Sequence, residues 1–190
     1  MIEWFKEYQE EQARVISTVQ TRLVAKLADV MNGKRNSNKN IFICGNGGSA
    51  SNASHFTVDL GKSASLQVTG PKFKVISLNE NVAWMTAIGN DLGYEHIFAE
   101  QLKNLGRHDD LLIAVSVSGN SPNVVAAVEL ANSIGMETFG LTSKDGGEVV
   151  KLCKESIIID SNHYGHVEDA QMFILHMLAY TFVEKNNGQV

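Results

Sequence analysis

Ile41-Phe42-Ile43-Cys44-Gly45-Asn46-Gly47-Gly48-Ser49-Ala50 runs from four apolar residues straight into a glycine-rich segment and then into a helical pattern. The apolar run reads as a buried strand and the glycines as the loop that ends it. Glycines there let backbone amides, Gly47 among them, approach an oxyanion closely, and Ser49 is placed to cap the helix and contact a ligand. The helix N-terminus adds positive partial charge. The spacing is neither that of a Walker A loop nor the dinucleotide GxGxxG.

Outward from this unit, apolar runs bounded by Gly, Ser, Asn or Asp recur at Phe73–Leu78, Leu111–Val117, Thr138–Leu141 and Ser156–Ile159. Helix-length stretches separate them: Ser49–Leu60, Asn81–Ile88, Tyr94–Leu105, Ser121–Ile134 and Gly147–Cys153. Strands alternating with helices require right-handed crossovers, which predicts an α/β fold, a doubly wound sheet of about five parallel strands covered on both faces. Ligands of such sheets bind beyond the carboxyl ends of the strands. Ahead of the first strand, Phe5, Tyr8, Val15, Ile16, Val19, Leu23, Leu27, Val30 and Met31 follow a helical period, so residues 1–33 read as an N-terminal extension of one or two amphipathic helices. At the other end, Val167–Glu184 reads as a long, mostly apolar helix that needs cover from this chain or from a second copy. A length of 190 residues suits one domain over 1–190.

Hydrophobic residues make up 44% and charged residues 19%, a composition that can offset the entropy of folding. The net charge of −5 offers no continuous positive field to a phosphate polymer, so nucleic acid is not the expected partner. A small anion needs no net positive charge, because backbone amides and hydroxyls suffice. No apolar run approaches the roughly 20 residues of a membrane span, and the charged, aromatic start of the chain is unlike an export signal. Cys44 and Cys153 stand alone in apolar contexts with no CxxC spacing, which reads as two buried reduced thiols. The expected location is the cytoplasm, with no membrane partner.

A second loop follows the run that ends at Val117: Ser116-Val117-Ser118-Gly119-Asn120-Ser121-Pro122-Asn123. Pro122 fits the first turn of a helix. One serine would cap that helix; Ser116, Ser118, Ser121 and Asn120 supply more hydroxyl and amide groups than capping needs, in a form that suits the phosphate monoester of a small molecule.

Four further side chains can carry chemistry. His55 and Asp59 are four apart on one predicted helix, and Glu168 and His176 are eight apart on the last one, so each pair returns to one face. His176 lies in Met172-Phe173-Ile174-Leu175-His176-Met177-Leu178, where an imidazole needs a polar partner that Glu168 could provide. Buried histidine and carboxylate can serve as acid and base or hold a metal.

The strand into GNGGSA and the later strand into S-x-S-G-x-S together resemble the sugar isomerase (SIS) family, from about Lys39 to the C-terminus, and the N-terminal helix fits that layout. The resemblance implies a flavodoxin-like sheet and a serine loop that grips a sugar phosphate through Ser116, Ser118 and Ser121, with Asn46, Gly47 and Ser49 completing the pocket. Ala87-Ile88-Gly89-Asn90-Asp91 is similar to a segment near the substrate in that family, which implicates Asp91.

The stretch from Gly45 through His55 and Phe56 resembles the family's phosphoheptose isomerases more specifically. In those enzymes a histidine, a glutamate four residues later, a glutamine on the last helix and a histidine eight beyond it surround zinc, and the glutamate and last histidine transfer protons. By position these become His55, Asp59, Glu168 and His176, with Asp59 in place of glutamate and Glu168 in place of glutamine. Two imidazoles and two carboxylates remain suitable for zinc. Eight residues after His55 the heptose enzymes carry arginine where this chain has Ser63, next to Lys62. The implied activity is aldose–ketose isomerisation of a sugar phosphate, sedoheptulose 7-phosphate by default, through an enediolate with Asp59 or Glu168 as base and His176 as acid. The implied assembly is a homotetramer with active sites shared between subunits.

Two other roles exist among SIS proteins. One relative binds a replication initiator without turning over sugar and has a different residue at the last histidine position, so His176 favours an enzyme. Phosphosugar sensors normally add a DNA-binding domain, and no basic helix-turn-helix segment is visible here.

Overall fold

The structure, a computed structural model, describes residues 1–184, so residues 185–190 of the predicted domain lie outside it. Five strands form one parallel sheet in the order β2-β1-β3-β4-β5: β1 Asn40–Cys44, β2 Lys74–Ser77, β3 Leu111–Ser116, β4 Glu137–Thr142 and β5 Glu155–Ile158. All four pairings are parallel, with Ile41 opposite Val75 on one side and Leu111 on the other. The predicted sheet is therefore present, with strand ends within two residues of those read from the apolar runs.

Alternation along the central strands divides the core. Ile41, Ile43, Leu111, Ile113 and Val115 face one layer of helices, while Phe42, Cys44, Leu112 and Ala114 face the other. The first layer consists of α1 (Ile2–Ser17), α2 (Thr21–Asn36), α3 (Gly48–Val58) and α9 (Tyr164–Glu184). The second is built on α5 (Val82–Asp91), α6 (Ala99–Leu105), α7 (Pro122–Ser133) and α8 (Gly147–Leu152). The N-terminal extension resolves into two helices. Val15, Val24, Leu27 and Met31 enter the chain's own core, whereas Ile2, Trp4 and Phe5 stay exposed. Cys44 and Cys153 are free and buried as expected, and burial pushes both thiols up, Cys153 to about 12.

The helix predicted over Ser49–Leu60 does not run on as an α-helix. After Val58 the chain widens into a π-helical turn, Asp59–Ala64, and ends in a short α4, Ser65–Gln67. The Ser65 hydroxyl donates to the Leu60 carbonyl at 3.1 Å and accepts from the Phe73 amide at 3.1 Å, so the turn is tied to the chain leading into β2. Turns of this kind are rare and concentrate at functional sites. This one begins at Asp59.

Candidate functional site

The order in which strands are added across the sheet reverses between β1 and β3: β2 lies to one side of β1, and β4 and β5 lie beyond β3. Loops at such a switch point part and leave a crevice at the carboxyl ends of the two strands. Both glycine-rich and serine-rich loops start there. They enclose a cavity of about 370 Å³ lined by Asn46, Gly47, Ser49, Ser116, Ser118, Ser121, Tyr164 and Glu168, among others.

The serine loop is held by its own hydroxyls and by α8. Ser116 Oγ lies 3.2 Å from Ser121 Oγ and accepts from the Gly119 amide at 3.1 Å; Ser118 Oγ accepts from the Asn120 amide at 3.2 Å. The first turn of α8 then braces the loop from outside, with Glu148 N donating to Asn120 Oδ1 at 3.0 Å and Val149 N to Gly119 O at 2.9 Å. Gly119 has φ +64, and a side chain there would collide with the Gly146 carbonyl, so this close approach requires glycine.

Several predicted roles change once the side chains are placed. The N-cap of α3 is Gly47 with φ 55 and no side-chain cap; Ser49 is buried inside the first turn and donates to Gln171 Oε1 at 3.0 Å, so it faces α9 as well as the cavity. Asn46 lines the cavity with its Oδ1 engaged by Asn123 and Tyr94 and one N–H donated to Asn123, which leaves its second N–H for a ligand. Asp91 is the exposed last residue of α5, receives a bond from Asn90 Nδ2 at 2.8 Å, and lines neither this cavity nor the larger one beside it.

Glu168 separates from the other acid-base candidates. Its carboxylate lies against Gly48, where a side chain would strike it, and it lines the serine cavity. Eight residues climb about 12 Å along a helix, which is why Glu168 and His176 share a face without meeting. His176 finds its partners on α3 and the π-helical turn that follows it instead. His55 Nε2 lies 3.3 Å from Asp59 Oδ2, His176 Nε2 lies 3.5 Å from the same oxygen, and the two Nε2 atoms are 3.5 Å apart. Asp59 Oδ2 is buried and makes no hydrogen bond of acceptable geometry. A buried carboxylate oxygen with two imidazole nitrogens near it and no bond to either is a donor set able to hold a cation. Among the described residues His55, Asp59 and His176 are the group of this kind, and Glu168 is not in it.

Gln171 was not singled out by the sequence reading. It is wholly buried, accepts from Ser49 and, at 3.5 Å, from Asn52 Nδ2, and its own Nε2 has no partner. The last helix therefore does contain a glutamine facing α3, three residues after Glu168. A lone glutamine within the apolar stretch Ala170–Leu175 was the available signal.

A parallel sheet with two anion-type loops at its switch point, and an imidazole–carboxylate triangle on the adjoining helices, defines a doubly wound α/β protein with a built site at the strand ends. A model of the SIS domain matches residues 3–143. The chain is 36% identical over 178 residues to a phosphoheptose isomerase of Aliarcobacter butzleri, covering 94% of this chain and 93% of the relative. It is 42% identical over 138 residues to a phosphoheptose isomerase of Helicobacter pylori, covering 73% and 71%. The structure of a phosphoheptose isomerase from Neisseria gonorrhoeae superposes with a TM-score of 0.87 at 27% identity, covering 95% of this chain and 97% of that one. The chain belongs to the SIS domain family, in its phosphoheptose isomerase branch.

Proposed function

We propose that this protein is a sugar-phosphate isomerase that interconverts sedoheptulose 7-phosphate and the corresponding aldoheptose 7-phosphate. The observation that carries the reading is the triangle of His55, Asp59 and His176 on the same chain as a serine-lined anion cavity, in a protein similar over nearly its whole length to phosphoheptose isomerases.

Ser116, Ser118 and Ser121 would receive the phosphate with the α3 N-terminus at Gly47 and Gly48, where backbone amides and the helix dipole favour an anion. Asp59 has Oδ2 turned to the two imidazoles, which leaves its other oxygen as the base. From the ketose, Asp59 takes a proton from C1, the C–H pair forms the C1–C2 double bond, and O2 takes the negative charge. His176 moves a proton between O2 and O1, and Asp59 returns its proton to C2, which gives the aldose. Glu168, which lines the serine cavity apart from the triangle, would order the sugar hydroxyls, with Asp59 the nearer base to the imidazoles.

Zinc is the cation we propose for the triangle. Tetrahedral ligands about 2.0–2.1 Å from zinc stand roughly 3.3–3.4 Å from one another. Edges of 3.3, 3.5 and 3.5 Å between Asp59 and the two imidazoles support that choice. Bound there by His55, Asp59 and His176, zinc would polarise the substrate carbonyl and stabilise the enediolate oxygen.

The triangle lies on an open face, with the His55 and His176 side chains 54% and 42% exposed and Phe173, Tyr180 and Val58 also exposed. We propose that another copy covers this face and the exposed Ile2, Trp4 and Phe5 of α1, in a homotetramer whose active sites are closed by neighbouring subunits. A cytoplasmic setting accords with the two buried free thiols. No helix among the described residues is long and apolar enough to cross a membrane.

Incubation of zinc-replete protein with sedoheptulose 7-phosphate in deuterated water should give the aldose, with deuterium at C1 or C2 read by NMR. Absence of both product and exchange, across heptose, hexose and pentose phosphates, would overturn the enzyme reading and leave a non-catalytic SIS protein.

A further inference from the structure

Three neighbouring strand ends are joined by asparagines. After β2, Asn79 accepts from the Gly45 amide at 3.3 Å and donates to the Gly45 carbonyl at 2.8 Å, which pins the start of the glycine-rich loop. One step across the sheet, Asn46 and Asn123, 77 residues apart, exchange a pair of amide bonds. Asn46 Nδ2 donates to Asn123 Oδ1 at 2.8 Å and Asn123 Nδ2 donates to Asn46 Oδ1 at 2.9 Å. The Tyr94 hydroxyl donates to the same Asn46 oxygen at 3.1 Å.

An amide oxygen has two lone pairs, and Asn46 Oδ1 uses both. Turning either amide alone would set oxygen against oxygen and N–H against N–H, so the pair fixes the orientation of both. Asn123 is only 1% exposed and sits in the first turn of α7, directly after the serine loop. Its amide therefore ties the loop after β1 to the loop after β3. Tyr94 is 63% exposed and lies in the segment between α5 and α6. Tyr94 lines a second cavity, of about 770 Å³, which shares Asn46 and Gly47 with the serine cavity.

A phosphate monoester gripped from two loops needs those loops at one fixed separation, and a displacement of about 1 Å is enough to spoil such a site. We propose that Asn46, Asn123 and Tyr94 form a three-point clasp that sets the distance between the glycine-rich and serine-rich loops. Asn123 and Tyr94 are then positioning residues for phosphate binding. For its substrate this rests on the isomerase reading; for the anion it does not.

The test measures KM and kcat for sedoheptulose 7-phosphate beside the calorimetric Kd of inorganic phosphate. One neutral hydrogen bond is worth about 2- to 10-fold in affinity. Tyr94→Phe should raise KM and the phosphate Kd by that factor with kcat little changed, and the effect should vanish in an Asn46→Ala background, where the acceptor is gone. Asn123→Ala loses two bonds and should raise both constants by about 5- to 50-fold. Wild-type constants in folded Tyr94→Phe and Asn123→Ala, or Tyr94→Phe and Asn46→Ala effects that simply multiply, would overturn the clasp. If Asn123→Ala fails to fold, the exposed Tyr94 decides alone. Wild-type protein that binds phosphate but turns over no sugar refutes the isomerase reading while the phosphate Kd still tests the clasp; protein that binds neither refutes both.

Discussion

The serine loop and the α3–α9 face belong to one chain, yet the first has its hydrogen bonds filled and the second does not. In the loop, Ser116 and Ser118 accept loop amides, and α8 donates to Asn120 and Gly119. On the face, Asp59 Oδ2 is buried without a hydrogen bond, Gln171 Nε2 lacks an acceptor, and His55 and His176 stand half in solvent. A satisfied loop can bind an anion with little reorganisation, because its groups are already oriented. An unsatisfied carboxylate between two imidazoles stores a demand for positive charge, which a cation or a bound substrate can meet. In the proposed function, recognition is then built into the chain, while the chemistry depends on a bound cation or substrate.

The largest effect expected on that contrast is at the unfinished face. Asp59→Asn and His176→Gln should each lower kcat by about 10²–10⁴-fold, the usual worth of a positioned acid or base, with KM for the sugar phosphate within a few-fold. Steady-state kinetics on variants with wild-type circular dichroism checks this. Activity near wild type in both would move the chemistry away from the triangle.

Next in size is the response to metal. A cation that binds only the folded protein stabilises it by about 2.7 kcal/mol at a hundred times its Kd. Added zinc should therefore raise the melting temperature of protein stripped by a chelator, and His55→Ala should lose the rise. An equal rise in His55→Ala would place the metal elsewhere.

At the finished loop the expected effect falls on binding. Hydrogen bonds to a charged group are worth about 1.5–3 kcal/mol, so Ser118→Ala should raise KM by about 10- to 150-fold while kcat stays within a few-fold. A loss confined to kcat would show the two regions to be less separate than their hydrogen bonds indicate.

The same contrast explains what the sequence could reveal. Ile41–Cys44 and Leu111–Val117 announce themselves because fully buried parallel strands are continuous apolar runs cut off by glycine or serine. The serine loop was legible for a related reason, since its hydroxyl and amide groups are contiguous. Features that depend on distant partners were not. The π-helical turn at Asp59–Ala64 leaves no local signature, and Asn79, Asn123 and Gln171 look like turn or helix residues until the fold brings them to Gly45, Asn46 and Ser49. Glu168 was paired with His176 by helical face alone, and a face says nothing of height along the axis.

The smallest effect concerns the other histidine of α9, which is buried and packs against α1 rather than the triangle. His166 is 5% exposed, its Nδ1 lies 2.6 Å from Gln12 Oε1, and its ring stacks 4.1 Å from that of Tyr8, so it docks α1 onto α9 rather than facing the cavity. Burial lowers its pKa, with His163 and Arg14 acting in the same direction and Glu11 and Asp169 opposing. Because the folded value lies below the unfolded value of about 6.5, His166 stabilises the fold fully above that pH. That contribution is lost as the pH falls through 6.5 toward the folded value. The melting temperature should therefore decline between pH 7 and 5, and His166→Asn, which cannot take up a proton, should flatten the part of the slope that belongs to this ring. An unchanged slope in His166→Asn would assign the acid sensitivity to another group.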